Sequence, residues 1–431
     1  MLLYLFRLTL LLICIYTARH YYFTLNRLFG RQRHPYIDID SAEWPAVTVL
    51  VAAHNEEAVV ADILKALMEV DYPADRLTVI PVNDRSTDRT REIIDAIADQ
   101  HPRIEPFHRI GGKPGKAAAL KDAMARVATE VVLVFDADYI PGKALIRQLV
   151  APFFDPEIGA VMGRVVPLNV GNKLLTRLLD LERSGGYQVD QQARMNLHMV
   201  PQYGGTVAGI RKSALDEVGG WNENALAEDT DLTYRLLLAG WKTVYANRAE
   251  CYEEVPERWP VRVRQIMRWA KGHNQSMISY LWKTAKCSEL KWMERMDGVL
   301  LLGVYVMGPV LLLGWILAVV LFYTGVQIGG GLTVLALGAF TTLGNFAAFF
   351  EIAAAARLDG SRERIRLLPL TLFGFTVSLV SVSRAAYQQV HASLFGQAEL
   401  VWHKTERSRT APVLTAPVLK DARLPVVEET S

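Results

Sequence analysis

The chain has 431 residues and a formal net charge of +2, from 47 basic and 45 acidic side chains. That balance, with no long Lys/Arg block, argues against a nucleic-acid footprint. Cys14, Cys251 and Cys287 are too scattered for a disulfide framework or a zinc site, and read as reduced thiols that suit a cytosolic soluble part.

Residues 2–23 are apolar, broken only by Arg7, Arg19 and His20. No small-residue cleavage site follows, and Arg27, Arg31 and Arg33 lie downstream. Because basic residues stay inside, residues 1–26 read as a membrane anchor whose C-terminal side is cytoplasmic.

A soluble domain follows, over residues 44–257. Its first strand, Val47-Thr48-Val49-Leu50-Val51-Ala52-Ala53, ends at the polar turn His54-Asn55-Glu56-Glu57. Val60, Ile63, Leu64 and Leu67 then recur at helical spacing. A second strand, residues 77–82, closes on Asn83-Asp84-Arg85-Ser86-Thr87-Asp88, and Ile93, Ile94 and Ile97 mark another amphipathic helix. The apolar run Val131-Val132-Leu133-Val134-Phe135 ends in Asp136-Ala137-Asp138. Strand, polar loop and helix in repetition predict a parallel sheet with helices on both faces. Ligands of such sheets gather at the carboxyl ends of the strands, where the loops at 54–57, 83–88 and 136–138 would converge.

Two carboxylates at a strand end can hold a hard divalent cation against a diphosphate. Residues one apart point to opposite faces, so Asp138 is expected on the metal, with Asp136 facing nucleotide or fixing the loop. Asp84 could bond a base or ribose, while the same stretch also reads as a helix cap through Thr87 or Asp88. Residues 111–116, Gly-Gly-Lys-Pro-Gly-Lys, could approach phosphate, but lack the P-loop spacing and read equally as a plain loop.

Glu228-Asp229 precede an amphipathic helix ended by Gly240. Acids there stabilise a helix N-terminus in any case; one could also accept the proton of an attacking hydroxyl. Residues 259–282 mix Arg262, Arg264, Arg268 and Lys271 with apolar side chains and Trp, within a segment 258–295 expected to lie at the headgroup level. Gln265, Arg268 and Trp269 share one helical face, where the indole offers a sugar platform and the guanidinium can meet a phosphate.

Residues 296–397 hold the remaining membrane candidates. The run 298–323 carries no charge, and 331–356 carries only Glu351. The Gly-rich link between them suits the outer side, and Arg357, Arg362, Arg364 and Arg366 then belong inside. The run 367–382, short before Arg384, is expected to be re-entrant or interfacial. With the N-terminus outside, a full crossing there would place residues 398–431 on the wrong side of a cytosolic site, so none is predicted. Apart from Glu351, Asn345 and a few hydroxyls the spans are apolar, which disfavours a transporter.

Taken together, these residues resemble the membrane-integrated, processive family 2 glycosyltransferases, such as cellulose, chitin, hyaluronan and poly-N-acetylglucosamine synthases, over roughly residues 47–407. The resemblance implies an α/β GT-A fold (Rossmann-like, mostly parallel sheet), a UDP-sugar donor, Mg²⁺ or Mn²⁺, and inversion at the anomeric carbon. It puts His54, Glu56 and Asp84 on the uridine, Lys116 in the donor pocket, Asp136 on the nucleotide and Asp138 on the metal. Asp229, beside Glu228, would be the general base. Gln265, Arg268 and Trp269 match the family's Gln-x-x-Arg-Trp motif, on donor diphosphate and acceptor sugar. Trp402 to Arg407 resembles a gating segment, with Lys404 and Arg407 over the nucleotide. Two departures stand out: Ala227 replaces the usual Thr before Glu-Asp, and there are fewer membrane helices than in cellulose synthase.

The leading expectation is therefore a multi-pass plasma-membrane hexosyltransferase, its catalytic domain cytoplasmic, extending a β-linked polysaccharide with export or accessory subunits as further partners. A single transfer to a lipid acceptor is the first alternative. A sugar-nucleotide-binding scaffold without turnover is the second.

Overall fold

The computed structural model describes every residue except 36–42, 327–328, 341, 361 and 397–431. Helix α1 (Leu2–Phe29) leads into β1 (Val47–Ala53), α2 (Val60–Met68), β2 (Leu77–Asp84), α3 (Thr90–Ala98), β3 (Phe107–Arg109), α4 (Lys116–Ala123) and β4 (Val131–Asp136). Next come β5 (Ile140–Pro141), α5 (Leu145–Val150), β6 (Ile158–Pro167) and α6 (Leu174–Ser184). A π-helical segment (Gly185–Gln191) runs on into α7 (Gln192–Asn196). The domain closes with β7 (Ala208–Arg211), α8 (Lys212–Glu217), α9 (Glu228–Leu238) and β8 (Lys242–Glu253).

The eight strands form one sheet in the order β3-β2-β1-β4-β7-β6-β8-β5. β1 is parallel to β2 and β4, β2 to β3, and β6 to β8. β7 runs against both β4 and β6, so the sheet is mixed where the repeating pattern predicts a parallel one. Val49, Leu50, Val51, Leu133, Val134 and Phe135 have no exposed surface, because β1 and β4 are covered on both faces. Continuous β-branched runs are what such doubly covered strands need, and they carry the carboxyl ends of β1, β2 and β4 to one rim.

Helix α10 (Trp259–Lys286) has 28 residues and would measure about 42 Å at the usual rise per residue. It packs on α9 and on α15 (Leu368–Phe395). Between them lie α11 (Trp292–Leu302), α12 (Met307–Tyr323), α13 (Gly330–Phe340) and α14 (Thr342–Leu358). Helix α1 packs against α12, α13 and α14. Among the described residues, Leu2–Phe29, Val304–Tyr323 and Glu363–Phe395 are long and apolar enough to cross a membrane by length and composition.

The last of these is longer than the run 367–382, because α15 continues past Arg384. Arg384 does not end the helix: it is exposed, and one long cationic side chain can leave an apolar surface without breaking the backbone. The neighbouring Val382 and Ala385 are buried against Ile266 and Ala270 of α10, which carries α15 on to Phe395. The segment Trp402 to Arg407, with Lys404 and Arg407, lies outside the described residues.

Candidate active site

One cavity of about 1390 Å³ opens at the carboxyl ends of β1, β2 and β4 and reaches α12, α14 and α15. His54, Glu56 and Asp84 line its first end, and Lys116, Asp136 and Asp138 its middle. Glu228, Asp229, Gln265, Arg268 and Trp269 line the same space, so every described candidate residue meets there.

The loop after β1 is tied to the loop after β2. His54 Nδ1 lies 2.6 Å from the Asp84 carbonyl oxygen, and Asn55 Oδ1 accepts the Thr87 N–H at 2.7 Å. Of the two capping candidates, Asp88 accepts the Thr90 N–H at 3.0 Å, just before the cap position Arg89 of α3. Asp84 is engaged through both oxygens: Arg85 and Arg109 donate to Oδ1 at 2.9 and 2.6 Å, and the Gly115 N–H donates to Oδ2 at 3.0 Å. Burial alone would raise its pKa, but the bonds from Arg85 and Gly115 and the charge of Arg109 hold it below the usual carboxylate value. Asp84 thereby fixes the Gly-rich loop, which delivers Lys116 as the first residue of α4.

Lys116 Nζ sits 2.6 Å from Asp136 and 3.8 Å from Glu228. Burial opposes its charge, yet these two carboxylates outweigh burial and raise its pKa. Asp229 Oδ1 accepts the Thr230 N–H at 2.6 Å, which leaves Oδ2 with no partner among the described residues. Burial and then the neighbouring Glu228 charge push the Asp229 pKa up to about 6, against the Thr230 bonds and Lys116. A carboxylate poised near neutrality suits a general base.

Sequence reasoning missed the loop that ties the end of β4 to the start of α9. The Thr206 hydroxyl accepts the Asp136 N–H at 3.1 Å, and Gln202 donates to the Thr230 hydroxyl at 3.1 Å. Gly205 adopts φ +70°, which disfavours any side chain, and a Cβ there would also crowd that of Asp229 at 3.1 Å. The doublet Gly204-Gly205 was the available signal. Arg109 was missed as well, being buried on a three-residue strand.

On α10, Gln265 accepts from Arg262 at 2.9 Å. The guanidinium groups of Arg183 and Arg262 lie 5.3 and 5.2 Å from the Trp269 ring centre, so cations as well as packing fix the indole. The missing hydroxyl at Ala227 has a packing reason: a Cβ on Gly272 would come within 2.7 Å of Ala227, so the two small residues let α10 approach the start of α9. Gly272→Ala is expected to push these helices apart, costing about 1–3 kcal/mol in thermal unfolding and lowering turnover with it.

Residues 45–272 match the sequence profile of the glycosyltransferase like family 2. The chain belongs to this family. "Probable glycosyltransferase YdaM" of Bacillus subtilis is 35% identical over 269 residues, 61% of this chain and 62% of that protein. "Beta-monoglucosyldiacylglycerol synthase" of Synechocystis sp. is 34% identical over 261 residues, 60% of this chain and 54% of that protein. The chain thus spans between half and two thirds of the length of these relatives. The solved mannosyltransferase PcManGT from Pyrobaculum calidifontis, in complex with GDP-Man and Mn²⁺, superposes with a TM-score of 0.57 at 18% identity, over 92% of this chain and all of that one. The shared fold is GT-A.

The family implies a divalent cation, and the donor set fits one. Asp136 and Asp138 line the cavity with carboxylate oxygens, the donor type a hard cation takes. Among the described residues no cluster of three or more His, Cys, Asp or Glu could hold an ion by itself. The remaining ligands would then be diphosphate oxygens and water, as is usual for Mg²⁺ at nucleotides.

Proposed function

We propose that this family member moves a hexose from a nucleotide-diphosphate sugar, a UDP-sugar by the resemblance above, to the hydroxyl of a membrane lipid, with inversion. The observation that carries this reading is the continuity of the cavity. Beyond Asp229 and Trp269 its wall becomes Leu311 and Trp315 of α12, Phe349 of α14, and Phe375 and Leu379 of α15. A sugar chain could stack only on its aromatic members, whereas acyl chains bury apolar surface along the aliphatic Leu311 and Leu379 as well. The diacylglycerol-directed relative supports the same choice over polymer extension.

In this reading His54, Glu56 and the Asp84-held loop face the uridine, while Lys116 and Arg268 face the diphosphate. Asp138 would hold the cation, which neutralises charge on the leaving group, with Asp136 facing the nucleotide. Gln265 and Trp269 orient the acceptor. The lipid hydroxyl oxygen bonds to the anomeric carbon as the bond to the β-phosphate oxygen breaks; Asp229 takes the hydroxyl proton and the nucleoside diphosphate departs. The site would lie at the cytoplasmic membrane surface, with multi-pass helices behind it.

The test supplies the purified protein in nanodiscs with a panel of UDP-hexoses, diacylglycerol and Mg²⁺ or Mn²⁺, and reads nucleotide release and product mass. One hexose on one lipid, lost on chelation, is expected. A ladder of sugars would move the assignment to polymer synthesis, and binding without turnover to a scaffold.

A further inference from the structure

Glu351 is the one acid in α14, yet it is only 7% exposed. A carboxylate buried in an apolar helix is costly without a counter-charge. His20 of α1 supplies one, with Nδ1 2.5 Å from Glu351 Oε2. The nearby guanidinium groups are committed elsewhere. Arg19 contacts Asp190 at 2.8 Å and Asp297 at 3.6 Å, and Arg194 contacts the same two acids at 3.2 and 3.5 Å. The π-helical segment brings Asp190 into that pairing. Two cations offset two anions, which leaves His20 as the direct partner of Glu351, and an imidazolium in that pair would meet its charge. Both ring nitrogens are then donors.

Nδ1 is taken by Glu351. Nε2 has no protein partner among the described residues, and the His20 side chain stays 32% exposed. Both His20 and Glu351 line the cavity that holds Asp229, beside the apolar Ala348, Phe349 and Ile352. An imidazole held by Glu351 therefore lines the same cavity as the apolar wall and the group-transfer site, and the chemistry at the sugar does not use it.

We propose that His20, oriented by Glu351, is a headgroup subsite whose Nε2–H donates to an ester carbonyl oxygen of an uncharged glycerolipid while the lipid's free hydroxyl reaches Asp229. The inference rests on the lipid-acceptor reading above. An uncharged ester fits better than a phosphate, because each cation here is already neutralised and an added anion would be buried without a partner.

The experiment uses the full chain in detergent micelles with whichever UDP-hexose supports transfer, and compares dioctanoylglycerol, a diester, with dioctylglycerol, its diether. Wild type is expected to favour the diester roughly tenfold or more through acceptor KM, the worth of one hydrogen bond to a charged group. His20→Ala should raise KM for the diester by that factor and leave the diether, donor KM and lipid-independent nucleotide release unchanged. His20→Gln, which keeps an N–H donor, should recover part of the preference. Equal use of both lipids by wild type, or an undiminished preference in His20→Ala, overturns the subsite. Loss of donor binding along with both lipids in His20→Ala and His20→Gln alike also overturns it, as a structural role. Transfer to neither lipid by wild type instead overturns the lipid-acceptor reading itself.

Discussion

Asp229→Asn is expected to lower transfer by roughly 10²–10⁴-fold, the usual worth of a positioned general base, while binding of the free nucleoside diphosphate survives. The wild-type rate should also fall as pH drops through about 6, where Asp229 takes up its proton. The same shift has a stability consequence of definite sign. A carboxyl whose folded pKa lies above its unfolded value favours folding while protonated, and that contribution is lost as pH rises through the folded pKa. Above about pH 7 the ionised Asp229, half-buried beside Glu228, therefore works against the fold. The neutral amide removes that repulsion, so the variant should melt higher than wild type above about pH 7, by on the order of 1–3 kcal/mol, with the gap closing toward about pH 4. Thermal unfolding across that range checks it. A variant that is less stable at high pH, or fully active, would remove the case for a base in this environment.

The strands beneath the site were legible because they are buried on both faces and so spell continuous apolar runs. β1, β2 and β4 announced themselves, and their polar ends followed. β7 did not. Ala208-Gly209-Ile210-Arg211 is short and small, because a Cβ on Gly209 would come within 2.7 Å of Phe153 and 2.9 Å of Leu133. A strand selected for closeness carries no hydropathy pattern, and its antiparallel direction was invisible with it. The loop 202–206 escaped for a related reason: it acts through backbone, a hydroxyl and an absent side chain rather than through a charged motif. The length of α15 was hidden by Arg384, since a hydropathy window counts the charge but cannot see that the adjoining residues pack on α10. Glu351 was noticed as an oddity, but its partner His20 lies 331 residues away, a pairing that only the packing of α1 on α14 reveals.

Arg109→Leu is expected to cost about 3–5 kcal/mol of stability, the typical effect of removing one partner from a buried ionic group. Its side chain is 2% exposed and bridges Asp84 at 2.6 Å and Asp122 at 2.7 Å, with a further bond at 3.1 Å to the Lys113 carbonyl. These contacts hold both ends of the turn that presents Lys116. Losing them frees that turn, so KM for the sugar nucleotide should rise as well, since Lys116 would no longer be held against Asp136. Arg85→Leu is the discriminating control. It removes another guanidinium from the same Asp84 oxygen, but one on a side chain that is 32% exposed, where water screens the pair and the expected cost is about 0–1 kcal/mol. A second control pairs Arg109→Leu with Asp84→Asn. Removing both charges should recover part of the stability, because no uncompensated carboxylate remains, yet leave the donor KM high, because the turn still lacks its anchor. Denaturant unfolding and donor titration of the three variants separate these effects. If Arg109→Leu and Arg85→Leu cost the same, burial is not what gives the clamp its strength, and the loop is held by something other than Asp84.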